Sequence, residues 1–457
     1  IGSRSPTFPG VAVSDVPSSA PDLKVAILGC GTVGTQVVRL LTENAQDLSQ
    51  RVGRGLSISG VLVRDLETPR DASVPVELLT TDAAALIAGS DLVVELMGGT
   101  TTARELVLAA LTSGASVVTA NKALLATAGP ELYQAADSAG VDLLFEAAVA
   151  GAVPVVRGVR ESLAGDRVER VLGIVNGTTN FILDEMTTGG LDFDVALKEA
   201  QELGYAEADP TADVDGHDAA AKAAILASLA FHTRVALADV ACEGIRDVTA
   251  ADISAAREAG GVIKLLAIAE RVSSRDLDGG DPTAVRESIS VRVNPAILPL
   301  AHPLAGVGGA YNAVVVEAEA AGRLMFYGAG AGGAPTASAV LGDIVAAARH
   351  RAHGGRAPAE SAHAALPLAS AQDVTSRMQI RLQVEDRPGV LAHVASALAD
   401  QQVSIESVRQ QPARDGAATL AVVTHEANEA ALARTVEALR TTPGVLQLLA
   451  AYRVEQA

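Results

Sequence analysis

The stretch KVAILGCGTVGTQVVRLLTEN, residues 24–44, decides the fold. Lys24 to Leu28 has the short apolar character of a buried strand; Gly29, Gly31 and Gly34 follow at once, and an apolar pattern of helical period opens behind them. Glycines at this spacing are a weak signal alone and a strong one between a strand and a helix. The first turns the chain, the second lets the backbone approach a pyrophosphate, and the third lets helix and sheet pack closely. The phosphates then lie at the helix N-terminus. Gly29, Gly31, Thr32, Val33 and Gly34 are therefore candidate cofactor contacts, and the fold class is α/β, opening with a Rossmann-type dinucleotide-binding domain.

Working outward, the next strand, SISGVLVRD, arrives late because QDLSQRVGRG is inserted before it, and it ends on Arg64 and Asp65. Arginine suits a 2′-phosphate, which favours NADP, while Asp65 keeps NAD possible. Two later strand patterns end on Gly98-Gly99 and on Asn121-Lys122. Ligands in open α/β sheets lie at the carboxyl ends of strands, so Gly98 and Lys122 are expected to face the cofactor. The apolar run at 141–156 contains Glu146, an acid that needs either a basic partner or a cation. Its glycine and proline break marks the crossover into a second, α+β domain, with strands in RVERVLGIVNG, RESISVRVNPAIL and AVVVEAEAAGRLMFYG. A mixed sheet of that kind can pair edge to edge with its copy, so a dimer is expected.

A second region carries the chemistry. Residues 201–222, QELGYAEADPTADVDGHDAAAK, gather Glu207, Asp213, Asp215 and Asp218 before an Ala-rich helix, with Asp215 read as its cap. Asp218 and Lys222 stand one turn apart. Such a pair is ordinarily a solvated surface contact of about 0.3–0.5 kcal/mol. Here the helix is apolar nearly all round from Ala219 to Phe231, which implies burial. A buried lysine needs a counter-charge and is available for proton transfer, so Lys222 with Asp218 is the first candidate for catalysis.

With 457 residues, about three domains are expected. A net charge of −19, 2% aromatic residues and no tryptophan argue against nucleic acid, whose phosphates would be repelled and whose bases would find no stacking platform. Two cysteines, Cys30 and Cys242, offer neither a disulfide framework nor zinc spacing, which fits a cytoplasmic protein. Residues 1–23 read as a flexible tail without a signal peptide, and no apolar run is long enough for a membrane span. The glycine-rich turn and helix at 328–348 are expected to return to the dinucleotide domain of residues 24–155 and cover the cofactor. Residues 156–327 then form the catalytic and dimerisation domain, and 349–376, containing RHRAHGGRAPAESAHAALPLASA, a linker. Residues 377–457 show the order βαββαβ of a ferredoxin-like unit.

Taken together, GCGTVG, ANK (120–122), FEAAVAGAVP (145–154), GIVNGTTNFIL (173–183) and above all ELGYAEADPTADVDGHDAAAK (202–222) resemble homoserine dehydrogenase from about Lys24 to Ala347. DRPGVL (386–391) resembles the signature of an ACT domain, an amino-acid-sensing module. The resemblance implies interconversion of L-aspartate 4-semialdehyde and L-homoserine on the route to threonine, isoleucine and methionine, and probing of threonine by the ACT domain. It implies Lys222 as catalytic lysine, with Lys122 at the nicotinamide end as its rival, and Glu207, Asp218 and Asp213 as substrate-binding carboxylates. It implies cofactor contacts at Gly177 and Gly332, a sodium or potassium site on Glu146, Val149, Gly151 and Val153, and a homodimer or homotetramer. Two other readings remain open on residues alone: a dehydrogenase of another small amino acid, and a non-catalytic sensor.

Overall fold

The computed structural model describes residues 20–275, 285–412 and 417–456, so most of the expected N-terminal tail lies outside the described residues. The first domain is a six-stranded parallel sheet: β1 (Leu23–Leu28), β2 (Leu56–Leu62), β3 (Leu79–Thr80), β4 (Leu92–Glu95), β5 (Ser116–Thr119) and β6 (Leu143–Leu144), in the order β3-β2-β1-β4-β5-β6. Strand order reverses between β1 and β4, and the crevice at their carboxyl ends is where such sheets bind nucleotides. β4 and β5 are buried at every residue, which is why they read as unbroken apolar runs. Helices α1 (Thr32–Glu43), α2 (Ala45–Val52), α3 (Ala83–Ala88), α4 (Thr101–Thr112) and α5 (Lys122–Ala139) cover the faces. The insertion that delays β2 is α2, closed by Gly53 at φ 79 in the left-handed region.

The second domain begins with α6 (Val155–Arg157) and continues through β7 (Val168–Ile174), α7 (Gly177–Thr188), α8 (Phe193–Glu202), α9 (Thr211–Val214), α10 (His217–Phe231), β8 (Ala241–Cys242), α11 (Ala250–Glu258), β9 (Gly261–Arg275), β10 (Val285–Pro299), β11 (Tyr311–Ala318) and β12 (Gly322–Ala329). β9 is a strand that the sequence pattern hides. It runs antiparallel to β10 from Gly261 opposite Pro299 to Arg275 opposite Val285. Leu265, Leu266, Ala267 and Ile268 are all buried, and a strand covered on both faces loses its alternation.

The chain then returns. α12 (Gly333–His353) packs on α1, with Val340, Ile344, Ala347 and Ala348 in one core with Val25, Val37 and Val38. The helix extends to His353, five residues into the stretch read as linker. That run is anchored: Arg349 donates to the Arg51 carbonyl at 2.8 Å, His350 pairs with buried Asp142 at 2.7 Å, and His353 bonds the Val52 carbonyl at 2.8 Å. Its basic residues also suit a helix C-terminus, a role that composition alone disguised as low complexity. The segment beyond is docked as well, since Arg234 grips Glu360 and Leu368 bridges to Ile289.

The last domain comprises β13 (Thr375–Glu385), α13 (Val390–Asp400), β14 (Ile405–Pro412), β15 (Ala417–Thr424), β16 (Ala427–Asn428), α14 (Glu429–Arg440) and β17 (Val445–Val454), with sheet order β17-β13-β15-β14. This is the ferredoxin-like arrangement. β17 also pairs in parallel with β10, at Ala296 opposite Arg453 and Ile297 opposite Val454, so the second and third domains share one continuous sheet. One edge of the catalytic sheet is therefore covered by the chain's own C-terminal strand; the other edge, β12, stays open, with Met325 and Tyr327 exposed. Among the described residues no helix is long and apolar enough to cross a membrane.

Candidate active site and cofactor cleft

The acid-rich loop folds against α7 and α10. Asn176 caps α7 by accepting from the Thr179 N–H at 2.8 Å, which leaves its amide to donate to Asp213 at 2.7 Å and Asp218 at 2.8 Å. α10 does not start on an Asp215 cap. Gly216, at φ 84, hinges α9 directly into α10, a conformation that costs glycine little, and Asp215 pairs instead with Arg246 at 2.9 Å. From there α10 is buried almost throughout, as its sequence requires.

Asp218 is the centre of the site. It is 8% exposed, and Lys222 Nζ, one turn on, donates to its Oδ2 at 2.7 Å and to the Val175 carbonyl at 2.6 Å. Lys122 Nζ, from the start of α5, reaches Oδ1 at 2.8 Å. Asn121 fixes that start: its side chain accepts from the Leu124 N–H at 3.0 Å and donates to the Gly99 carbonyl at 2.7 Å. Burial would raise the Asp218 carboxyl, yet the two lysine charges outweigh it and hold the group below the usual carboxylate range. Burial would lower the Lys122 ammonium, but Asp218, with Asp213 and Glu207 nearby, holds it above the ordinary lysine value. Asp213 is raised, chiefly by burial, against the Asn176 bond. Glu207 is exposed at the rim. Lys122, Lys222, Asp213 and Asp218 thus form one cluster, and Asn176, which the sequence did not single out, joins it.

The cleft beside this cluster fits a dinucleotide. α1 starts at Gly31 without a side-chain cap, and nothing stands within 4 Å of where a Cβ on Gly31, Gly98 or Gly99 would lie. Gly29 and Gly34 serve packing, since their added Cβ atoms would meet the Leu96 carbonyl at 2.8 Å and the Gly29 carbonyl at 2.2 Å. Gly332 opens α12, also uncapped, and Gly333 lies against Thr32, so two free helix N-termini converge on the same space. Gly177 is a packing glycine: an added Cβ would stand 2.6 Å from the Ala310 carbonyl. At the end of β4 buried Glu95 accepts from Thr119 at 2.6 Å and from the Met97 N–H at 2.9 Å, which shapes the turn to Gly98.

Arg64 is exposed and makes no hydrogen bond or ion pair among the described residues. Asp65 is spent on its own turn, accepting from the Glu67 N–H and Thr68 hydroxyl. Arg70, which the sequence reading passed over, ties the Cys30 carbonyl at 3.2 Å to the Asp65 carbonyl at 3.2 Å and keeps a buried Nε without a partner.

At residues 146–153 the Glu146 side chain turns to the start of α6, accepting from the Val156 and Arg157 N–H groups at 2.9 and 2.8 Å. Its carboxylate thus braces the start of α6, while its carbonyl accepts from the Val149 N–H at 3.4 Å. The carbonyls of buried Val149 and Gly151, in contrast, receive no hydrogen bond among the described residues. Among the described residues no group of three or more His, Cys, Asp or Glu side chains could hold a metal.

The family model described as homoserine dehydrogenase matches residues 154–345, that of the homoserine dehydrogenase NAD binding domain residues 29–146, and that of the ACT domain residues 378–444. The chain is 56% identical over 434 residues to homoserine dehydrogenase of Corynebacterium glutamicum, covering 94% of this chain and 95% of the relative. It is 55% identical to that of Mycobacterium tuberculosis, covering 93% and 96%. Among solved structures, the homoserine dehydrogenase of Thiobacillus denitrificans superposes with a TM-score of 0.86 at 39% identity, over 95% of this chain and 98% of that one. A hyperthermophilic archaeal homoserine dehydrogenase in complex with NADPH gives 0.58 at 28% identity, over 71% and 97%.

Proposed function

The chain belongs to the homoserine dehydrogenase family of NAD(P)-dependent oxidoreductases and ends in an ACT domain, and on that premise we propose that it interconverts L-aspartate 4-semialdehyde and L-homoserine by proton exchange at Lys222 Nζ, in the cytoplasm, on the route to threonine, isoleucine and methionine. The observation that carries this reading is one buried carboxylate, Asp218, held between two lysines. The nicotinamide supplies hydride exchange at the substrate's alcohol or aldehyde carbon. Lys222 has three N–H donors, and Asp218 and Val175 take two. The third is free to give a proton to an alkoxide or, deprotonated, to receive one. Lys122, held charged by its acids, polarises the same oxygen without giving up its proton. Glu207, Asp213 and Asp218 hold the substrate ammonium and fix which carbon faces the nicotinamide.

Exposed Arg64 favours a 2′-phosphate, and Asp65 is engaged elsewhere, so NADP is the preferred cofactor; the NADPH complex of the archaeal relative supports this reading. A sodium or potassium ion on the Val149 and Gly151 carbonyls would brace the loop against the return at Gly330, whose carbonyl lies 2.4 Å from an added Cβ on Gly151. Threonine acting through the ACT domain, and a homodimer through the open β12 edge or a homotetramer, complete the reading. The test is NADP reduction with L-homoserine, followed at the nicotinamide absorbance, by the intact chain and by Lys222→Ala. Turnover in the first and its loss in the second support it; no turnover with either nicotinamide cofactor overturns it. An initial rate unchanged by saturating threonine overturns the regulatory part.

A further inference from the structure

Two turns reach the cleft from neighbouring strands, and one buried carboxylate holds both. The first, after β4, carries Gly98 and Gly99, each at φ 72. Paired glycines in the left-handed region have little conformational preference of their own, so such a turn needs outside bonds to fix it. The second, after β5, carries Asn121 and Lys122, and Lys122 Nζ reaches Asp218 at 2.8 Å. Glu95 and Thr119, the last residues of the two strands, are partners in the parallel pairing and are both fully buried. Glu95 Oε1 accepts from the Met97 and Gly98 N–H groups at 2.9 and 3.3 Å. Its Oε2 accepts from the Thr119 hydroxyl at 2.6 Å, and the Thr119 oxygen accepts from the Asn121 N–H at 3.0 Å. Asn121 donates back to the Gly99 carbonyl at 2.7 Å, which closes a ring.

Holding the glycine turn occupies only Oε1. Among the described residues Glu95 makes no ion pair, so hydrogen bonds offset its burial, and the second oxygen spends its bond on the neighbouring strand. The Thr119 hydroxyl is what joins this carboxylate to the lysine turn. Apolar packing between the strands would hold them together without fixing how far apart their turns stand, because it has no direction. A short bond to an anion does fix it.

On the reading that the chain exchanges hydride with homoserine, we propose that Glu95 and Thr119 are positioning residues. They set the separation of the Gly98–Gly99 turn from Lys122, and so the distance between the nicotinamide and the substrate oxygen that Lys122 polarises. Reacting groups held about 1 Å out of place lose about a hundredfold in rate. Thr119→Val removes the hydroxyl at nearly constant shape, and Thr119→Ser keeps it. In Thr119→Val, kcat for homoserine is expected to fall about ten- to hundredfold, with KM for NADP and for homoserine each within about threefold of the unmodified chain. The serine variant should keep kcat within about threefold. Thr119→Ala leaves room for a water on the stranded Glu95 oxygen, so it is the second hydroxyl-free variant if Thr119→Val does not fold, with the same fall expected. A kcat retained without the hydroxyl overturns the proposal, as does a change in KM alone or a serine variant as slow as the valine one. Hydrogen exchange reads the link without turnover: amides 97–99 should exchange at least about threefold faster in Thr119→Val and not in Thr119→Ser. Unchanged exchange at those amides overturns the link even where the variant is slow. No turnover by the unmodified chain with either nicotinamide cofactor overturns the homoserine reading, and exchange then decides the ring by itself.

Discussion

Asp218 and Asp252 are two buried aspartates, each in the first turn of a helix and each facing a cation from another domain, yet they do opposite work. Asp252, on α11, accepts from Arg381 of β13 at 2.5 Å, from the Thr249 N–H at 3.0 Å and hydroxyl at 2.6 Å, and from the Tyr452 hydroxyl at 3.3 Å. Arg381 and Tyr452 are themselves buried, and of the partners only Thr249 is exposed. This carboxylate clamps the ACT domain to the catalytic sheet. Asp218 meets Lys222 and Lys122, whose ammoniums each keep donors to spare, and the Lys122 side chain is 42% exposed toward the cleft. Burial and pairing are common to both. What separates the proposed active site from the clamp is a side open to a ligand: the Lys122 side chain is 42% exposed and the Arg381 side chain 10%.

The largest expected effect tests that distinction directly. Lys222→Ala should lower kcat by about two to four decades while the protein stays folded, whereas Arg381→Ala should leave kcat without effector within about a factor of three. Steady-state rates with circular dichroism on both variants decide it, and an Arg381 variant as inactive as the lysine variant would erase the contrast. The same Arg381→Ala change should lower unfolding stability by about 3–5 kcal/mol, because it strands Asp252 without a counter-charge. Denaturant midpoints measure this; a shift below about 1 kcal/mol means that the clamp is not energetically important.

A third expectation concerns acid. The Asp218 carboxyl is depressed in the folded protein, so its contribution is present above the unfolded value near 3.8 and is lost as pH falls through the lower folded one. Unfolding free energy measured down through this window should fall less steeply in Asp218→Asn than in the unmodified chain, and equal slopes would refute the assignment. The smallest effect is Tyr452→Phe, which removes one long hydrogen bond among several to Asp252 and should cost about 0.5–1.5 kcal/mol by thermal melting.

Some of this site was legible because it is local. The one-turn spacing of Asp218 and Lys222, the apolar surround of α10 and the glycines at 29, 31 and 34 are patterns within a few residues, and the backbone periods enforce them. Asn176 was legible only as part of the GIVNGTTNFIL motif; that its amide bridges Asp213 and Asp218 depends on the loop folding back over α7. Asp215 misled as a cap because the left-handed hinge at Gly216 joins two helices where one start was visible. β9 was hidden by burial on both faces, and the end of α12 by a run of histidine and arginine whose partners lie some two to three hundred residues earlier in the chain.

By itself, then, the sequence determined a dinucleotide fold, a buried lysine needing an acid, and a terminal ferredoxin-like unit, since each follows from short-range periodicity, turn chemistry and the cost of burying charge. The tertiary structure alone decided that Lys122 shares Asp218 with Lys222, that α12 brings a second helix N-terminus to the cleft, and that β17 joins the ACT domain to β10. Those pairings are between residues far apart along the chain, and no local preference encodes them; they form because strand edges and buried charges must each find a partner once the core has closed.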